Sequence, residues 1–267
     1  MEQIQTREGS RGLSAAALKW IAIITMLIDH VGASLLYGHA VYPTGWLGGT
    51  RYGWGESLWS RDFYMVLRMI GRLAFPIFCF LLIEGLIHTR SRWKYFLRLA
   101  LFALISEIPF DLAFERTWWS LKNQNVFFTL ALGLGAVAAW DWLTEGNAPD
   151  CRPLRGLVAI LTAATAALAA LWLKTDYGAL GVALILVMYL LRDKPWGRDL
   201  LAFAVLGAMV LIGHSHWIEV LGAVSFPLMH LYNGQRGRQH KYFFYFFYPV
   251  HLLLLFGLLV LIIRMGL

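Results

Sequence analysis

The chain carries its most informative stretch near its start, in Leu18-Lys-Trp-Ile-Ala-Ile-Ile-Thr-Met-Leu-Ile-Asp-His-Val-Gly32. The run is apolar enough for a membrane helix, yet it contains Lys19 and the adjacent pair Asp29 and His30. Ionisable side chains are costly at membrane depth, so each of them is a functional-site hypothesis by default. The stretch therefore predicts a membrane helix that does more than anchor the chain.

The rest of the sequence has the composition of a polytopic membrane protein. Of its 267 residues, 59% are hydrophobic and 15% are charged, and the mean hydropathy is +0.60. These values lie outside the range of ordinary soluble domains. The formal net charge of +7 accompanies no nucleic-acid-binding module, so we expect a lipid bilayer and no nucleic acid as partner.

Nine apolar segments have about the length that crosses a bilayer, roughly 17 to 25 residues. They are 16–37, 63–88, 94–114, 125–143, 154–173, 176–191, 200–213, 217–232 and 242–263. The three segments from 176 to 232 are short, and tilted spans or a re-entrant pair are both open for them. We predict an all-α, polytopic helical bundle of about nine transmembrane helices, with a polar tail at 1–15 and a single membrane domain at 16–267.

Lysine and arginine outside these segments gather in the loops on the side of the N-terminus. Because cytoplasmic loops carry an excess of these residues, this pattern predicts a cytoplasmic N-terminus. We expect a multi-pass protein of the cell inner membrane. The oligomeric state stays open.

Lys19 and His30 are eleven residues apart in the first span. This spacing is close to three helical turns, so the two side chains share a face and lie about 16 Å apart along the helix. His30 then falls near the membrane centre, with Lys19 at the cytoplasmic edge. Asp29 either orients the imidazole or pairs with another helix. The alternative is a buried structural histidine, with Lys19 as a snorkelling anchor.

Charged residues also occur inside the second and third spans. Arg72 in the second span needs an anion at membrane depth, and that anion is either Glu107, Asp29 or Asp111, or a substrate. Glu107 and Asp111 are four residues apart in the third span and share a helix face, with Pro109 between them. This combination predicts a polar cavity in the outer half of the membrane.

Three further places carry polar side chains at the ends or centres of predicted spans. Asn125 opens the fourth span, and Asp176 and Tyr177 open the sixth, either as helix caps or as substrate contacts. In the last span, Tyr248 and His251 belong to a polar stripe with three-residue steps that ends near the membrane centre. We find no spacing of histidines that demands a metal.

The order of these motifs resembles the TraX family. The matching segments are Lys19-Trp-Ile-Ala-Ile-Ile-Thr-Met-Leu-Ile-Asp-His30, Arg72-Leu-Ala-Phe-Pro76, Glu84-Gly, Ile105-Ser-Glu-Ile-Pro-Phe110, Asn125, Asp176-Tyr-Gly, Tyr232-Asn-Gly and Phe247-Tyr-Pro-Val-His251. The family is named for the conjugation protein that acetylates the N-terminal amine of pilin. More distantly, it resembles the transmembrane acyltransferase superfamily.

The resemblance implies transfer of an acetyl group from cytoplasmic acetyl-CoA to an amine or hydroxyl of a glycan, lipid or peptide acceptor. His30 would be the general base, with Asp29 or a partner carboxylate fixing its tautomer, Arg72 or a backbone donor stabilising the oxyanion, and His251 assisting. An acetyl-histidine intermediate is equally open. The expected CoA-binding residues are Lys19, Arg98, Arg236, Arg238 and Lys241. The expected acceptor-binding residues are Glu107, Asp111, Asn125, Asp176, Tyr177 and Tyr248.

Two other classes of function fit the same residues. A proton-coupled transporter would pass protons along Asp29, His30, Glu107, Asp111 and His251. A non-catalytic envelope assembly factor would use the buried charges only to specify helix packing.

Overall fold

The computed structural model describes residues 12–36, 61–144, 152–212, 216–238 and 241–265. Apart from two isolated β-bridges, the regular structure in these ranges is helical, which confirms the all-α prediction. The helices are α1 (Ala15–Val31), α2 (Arg61–Gly71), α3 (Ala74–Ile87), α4 (Arg92–Phe110), α5 (Val126–Thr144), α6 (Arg152–Trp172), α7 (Gly178–Leu190), α8 (Pro195–Leu211), α9 (Phe226–His230) and α10 (Lys241–Met265). Two π-helices, at Gly32–Leu36 and Asp111–Glu115, and a 3₁₀ helix at Trp217–Ser225 complete the set.

Five helical stretches in the described ranges are long and apolar enough to cross a membrane, and one of them, Asp62–Ile87, joins α2 and α3. The predicted span at 217–232 is instead the 3₁₀ helix followed by the single turn of α9. The predicted span at 63–88 divides into α2 and α3 at the turn that carries Arg72. The number of crossings and the side of the N-terminus therefore stay predictions.

The surface of the bundle is apolar where a bilayer would cover it. Only 11% of the span in α6 is buried inside the protein, and Trp172 at its end is 82% exposed. Side chains such as Ile77, Leu134 and Ile185, from α3, α5 and α7, are fully buried. Since an apolar surface of this extent is not stable in water, the fold requires lipid around it.

The start of α1 is held against the segment that leads into α10. Ser14 caps α1, because its hydroxyl accepts a hydrogen bond from the backbone N–H of Ala17 at 3.2 Å. The N–H of Leu13 donates to the carbonyl of Leu231 at 2.7 Å, and that of Ala15 donates to Gln235 at 2.8 Å. These bonds place the beginnings of α1 and α10 at one end of the bundle. Most of the predicted tail at 1–15 lies outside the described residues.

Candidate functional site

Two histidines from opposite ends of the chain meet inside the bundle. Nδ1 of His30, on α1, lies 2.7 Å from Nε2 of His251, on α10. The two rings are parallel within 7°, with 5.0 Å between their centroids. Nδ1 of His251 lies 2.7 Å from the backbone carbonyl oxygen of Phe247, one helical turn earlier. His251 is only 4% exposed, and His30 is half-buried.

This chain of contacts fixes the tautomers of both rings. A carbonyl oxygen can only accept, so Nδ1 of His251 must carry a proton and donate it to Phe247. In the neutral ring, Nε2 of His251 is then an acceptor, and Nδ1 of His30 donates to it. The remaining nitrogen of His30, Nε2, keeps its lone pair. The pair therefore presents one imidazole nitrogen as a base, and the sequence-predicted residues His30 and His251 form one unit.

Aromatic side chains hold the His30 ring from two sides. Phe114 and Tyr248 each approach it edge-on, with centroid distances of 5.2 and 5.9 Å. Beyond His30, α1 continues as the π-helix Gly32–Leu36, and α4 continues as the π-helix Asp111–Glu115, which contains Phe114. The hydroxyl of Ser34 in the first π-helix donates to the carbonyl of Ala113 in the second at 3.3 Å. Such π-helical turns occur frequently at functional sites.

Asp29 faces away from the imidazole and belongs to a buried ion network. Its Oδ1 pairs with Arg72 at 2.8 Å and its Oδ2 with Arg68 at 2.5 Å. Arg72 also pairs with Glu219 at 2.5 Å, and its Nε donates to the carbonyl of Arg68 at 3.2 Å. The expectation that Asp29 orients His30 is therefore not what the geometry gives. That position belongs to His251, because the Asp29 carboxylate is fully engaged by two guanidinium groups.

Glu219 is the functional-site neighbour that sequence reasoning missed. It is 8% exposed, on the 3₁₀ helix at Trp217–Ser225. The sequence did contain a signal for it, because Glu219 is a lone carboxylate in an apolar segment and Arg72 needs an anion at membrane depth. Of the three partners considered for Arg72, the structure brings Asp29 to it, whereas Glu107 and Asp111 pair elsewhere.

Glu107, on α4, lies beside Asn125, the residue that precedes α5. The Asn125 amide donates to Oε2 of Glu107 at 2.5 Å and to the carbonyl of Ala103 at 2.8 Å, while its Oδ1 accepts from the backbone N–H of Phe127 at 3.0 Å. Asn125 is therefore the cap of α5 as well as a partner of Glu107. Asp111 accepts a hydrogen bond from the backbone N–H of Ser120 at 2.7 Å. The other carboxylate oxygens of both acids are buried and have no hydrogen-bond partner among the described residues.

Asp176 and Tyr177 form the turn before α7. Tyr177 has a left-handed backbone with φ of +63°, and its ring stacks on Phe75 with 3.7 Å between centroids. Neither residue caps the helix with its side chain, because α7 begins without such a bond. The capping alternative for Asp176 is therefore wrong. Both side chains lie within electrostatic range of Arg72.

A cavity of about 620 Å³ runs from the end of the bundle where α1 and α10 begin toward the histidines. Its charged lining residues are four cations, Lys19, Arg90, Arg98 and Arg236, and one acid, Glu84. Met26 and Tyr248 line its deep end, and they precede His30 and His251 by four and three residues. The cavity therefore reaches to about one helical turn from the pair. Arg238 is exposed and is not part of this lining, and the side chain of Lys241 lies outside the described part of the chain.

Comparison with known proteins gives one family and one close relative in sequence. The family model described as "TraX protein" matches residues 14–259. A protein of Dichelobacter nodosus described as "Probable fimbrial assembly protein FimC, serogroup H1" is 33% identical over 270 residues, covering 91% of this chain and 94% of the relative. No solved structure matches the chain.

Proposed function

We propose that this chain, which belongs to the TraX family, transfers an acetyl group from cytoplasmic acetyl-CoA to an amine or hydroxyl of a cell-envelope acceptor. One observation carries the proposal. A cavity with a cationic lining at one end of the bundle leads to within about one turn of a histidine whose Nε2 is available as a base.

The donor side fits the chemistry of CoA. The phosphates of CoA require cationic groups, and Lys19, Arg90, Arg98 and Arg236 line the cavity. The deeper walls are mostly apolar, with Met26 among them, which suits an extended thioester arm. A volume of about 620 Å³ lies inside the range of small-molecule sites, roughly 300 to 1,000 Å³.

The reaction needs one base. Nε2 of His30 accepts a proton from the attacking amine or hydroxyl while the nitrogen or oxygen forms a bond to the acetyl carbonyl carbon. The tetrahedral intermediate then collapses, the carbon–sulfur bond breaks, and the imidazolium of His30 returns the proton to the CoA thiolate. A general base of this kind contributes typically about 10²–10⁴-fold to the rate. The hydrogen bond to His251 holds the ring in the required tautomer throughout.

The acceptor would enter from the other side of the histidine pair. Buried oxygens without described partners on Glu107 and Asp111 would supply polar contacts to it, and Asp176 and Tyr177 lie within electrostatic range of Arg72. The acceptor is a glycan, a lipid or a peptide. We favour a peptide amine of a fimbrial subunit, because the relative is described as a probable fimbrial assembly protein.

The test uses the full chain in lipid nanodiscs, with acetyl-CoA as the probe and release of free CoA as the readout. The wild type is expected to release CoA, and His30→Ala is expected to lose this activity. His230→Ala is the matched control, because His230 pairs with Asp199 at 2.6 Å and does not line the cavity. A wild type that neither binds nor consumes acetyl-CoA, or a His30→Ala variant with full activity, would overturn the proposal.

A second candidate is a non-catalytic role in fimbrial assembly. The description of the relative as a probable fimbrial assembly protein favours it. The buried ion network of Arg68, Asp29, Arg72 and Glu219 would then serve to specify helix packing. The two candidate functions can be distinguished in cells that require this protein to make fimbriae. A His30→Ala protein that restores fimbriae without consuming acetyl-CoA would support assembly alone.

A further inference from the structure

We infer that Tyr248 is a catalytic residue, whose phenolic O–H donates a hydrogen bond to the acetyl carbonyl oxygen as that oxygen becomes an oxyanion. The inference rests on the proposed acetyl transfer and adds the group that stabilises its intermediate. Preorganised donors of this kind are often the largest contribution to acyl transfer.

The position of Tyr248 is the first argument. It lines the deep end of the cavity and is 3% exposed. Its ring contacts both His30 and His251 edge-on, with centroid distances of 5.9 and 5.6 Å. Phe127 packs against its other side at 5.1 Å. A thioester carbonyl that reaches the base must therefore pass beside this ring.

The proton of the phenol is the second argument. The Tyr248 phenol oxygen lies close to the backbone of Val126. Val126 is the first residue of α5, where backbone N–H groups lack helical partners. In this contact the N–H is the donor side and the phenol oxygen is the acceptor side. A hydroxyl can donate one bond while it accepts others, and no acceptor for the Tyr248 proton is found among the described residues. The phenol can therefore donate this proton in a hydrogen bond to a ligand in the cavity.

The other candidate donors are engaged in other bonds or lie away from the deep end of the cavity. Arg72, which the sequence suggested for this role, directs its Nε–H and one N–H of each terminal nitrogen at Arg68, Asp29 and Glu219, and it does not line the cavity. The amide nitrogen of Asn125 donates both of its hydrogens, one to the carbonyl of Ala103 and one to the Glu107 carboxylate. The side chains beside Tyr248 at the deep end, Met26 and Phe127, carry no N–H or O–H group. Within the described ranges, Tyr248 is thus the donor that the geometry leaves available next to the base.

No covalent step passes through Tyr248. The phenol keeps its proton, and the hydrogen bond shortens as negative charge builds on the former carbonyl oxygen. When the carbon–sulfur bond breaks, the carbonyl re-forms and the bond weakens again. The effect should therefore appear in the chemical step and little in donor binding.

The test is Tyr248→Phe in nanodiscs, which removes one oxygen and keeps the ring contacts. The kcat for transfer from acetyl-CoA is expected to fall by about 10²–10³-fold, as for loss of one oxyanion donor, while the KM for acetyl-CoA stays nearly constant. Tyr245→Phe is the matched control. Tyr245 lines the same cavity one turn earlier and lies beside the guanidinium of Arg98, so its variant should change KM more than kcat.

Further measurements separate the possible outcomes. Isothermal titration with CoA and thermal unfolding should show that Tyr248→Phe binds CoA and folds as the wild type does. If Tyr248→Phe cannot be purified folded, a ring-fluorinated tyrosine at position 248 replaces it. This variant keeps the donor and should retain transfer. An unchanged kcat in Tyr248→Phe, loss of CoA binding in that variant, or inactivity of the fluorinated protein would overturn the role of Tyr248. A wild type without any transfer would instead remove the reaction itself, and the role of Tyr248 with it.

Discussion

Nδ1 of His30 lies 2.7 Å from Nε2 of His251, and the two residues are 221 positions apart in the sequence. The His251 ring is itself fixed by the carbonyl of Phe247. His251 therefore takes the place that a carboxylate often has beside a catalytic histidine, without adding a negative charge to the apolar centre of the bundle.

The first prediction concerns His251 as a positioning residue. His251→Ala should lower kcat for acetyl transfer by about 10²-fold or more, because His30 then loses the partner that selects its tautomer and keeps Nε2 free as a base. His251→Gln should recover part of this loss, since its amide oxygen can accept from Nδ1 of His30. The pH–rate profiles of the three proteins provide the measurement. Equal activities for alanine, glutamine and wild type would show that the pair has no role in the reaction.

The second prediction concerns the ion network. Arg72→Leu leaves the Asp29 and Glu219 carboxylates buried without their shared partner, and loss of one member of a buried pair costs about 3–5 kcal/mol. Unfolding in detergent should show this loss. Arg192→Leu is the control, because Arg192 forms a surface pair with Asp193 at 3.7 Å and such pairs contribute about 0–1 kcal/mol. Equal stability of the two variants would mean that the network does not hold α1, α2 and the 3₁₀ helix together.

The third prediction concerns the contact between α1 and the end of α2. A Cβ atom at Gly71 would lie 2.2 Å from Cβ of Asp29 and 2.3 Å from its Oδ1, so Gly71→Ala must displace Asp29 from its arginine partners. The variant should lose stability as well as transfer activity. Gly207→Ala is the control in α8, where an added Cβ meets nothing within 4 Å. It should be neutral or more stable by up to about 1 kcal/mol, since alanine favours helices over glycine. A Gly71→Ala protein as stable and active as Gly207→Ala would contradict the packing described here.

The fourth prediction concerns the mouth of the cavity. Arg236→Glu should raise the KM for acetyl-CoA by on the order of tenfold, because it replaces a favourable charge beside the CoA phosphates with a repulsive one. Arg238→Glu is the matched control, since Arg238 is exposed in the same segment and does not line the cavity. KM should respond to the first change much more than to the second, and the difference should shrink as salt is added. Similar effects of both changes on KM would indicate that the loop attracts CoA by its overall charge, without a specific contact from Arg236.

Much of the site could be predicted from the sequence because its residues are charged or titratable inside apolar runs. Lys19 and His30 share a face of α1 by helical periodicity, and the cavity does extend from Lys19 toward His30. The polar stripe of α10 likewise identified Tyr248 and His251. For other residues the sequence left alternative partners open, because proximity along the chain does not say which groups the fold brings together. Asp29 is adjacent to His30, yet consecutive residues on a helix point about 100° apart.

The sequence by itself determined the class of the protein, the apolar helices and which ionisable groups lie within them. These follow from local periodicity and from the cost of placing charge in lipid, which act on each segment separately. Only the tertiary structure decided that His30 meets His251, that Asp29 and Glu219 share Arg72, and that Tyr248 lies between the cavity and the base. These pairings join segments distant along the chain, and the packing of the whole bundle selects them, since no single helix contains the information about which face of another it will contact.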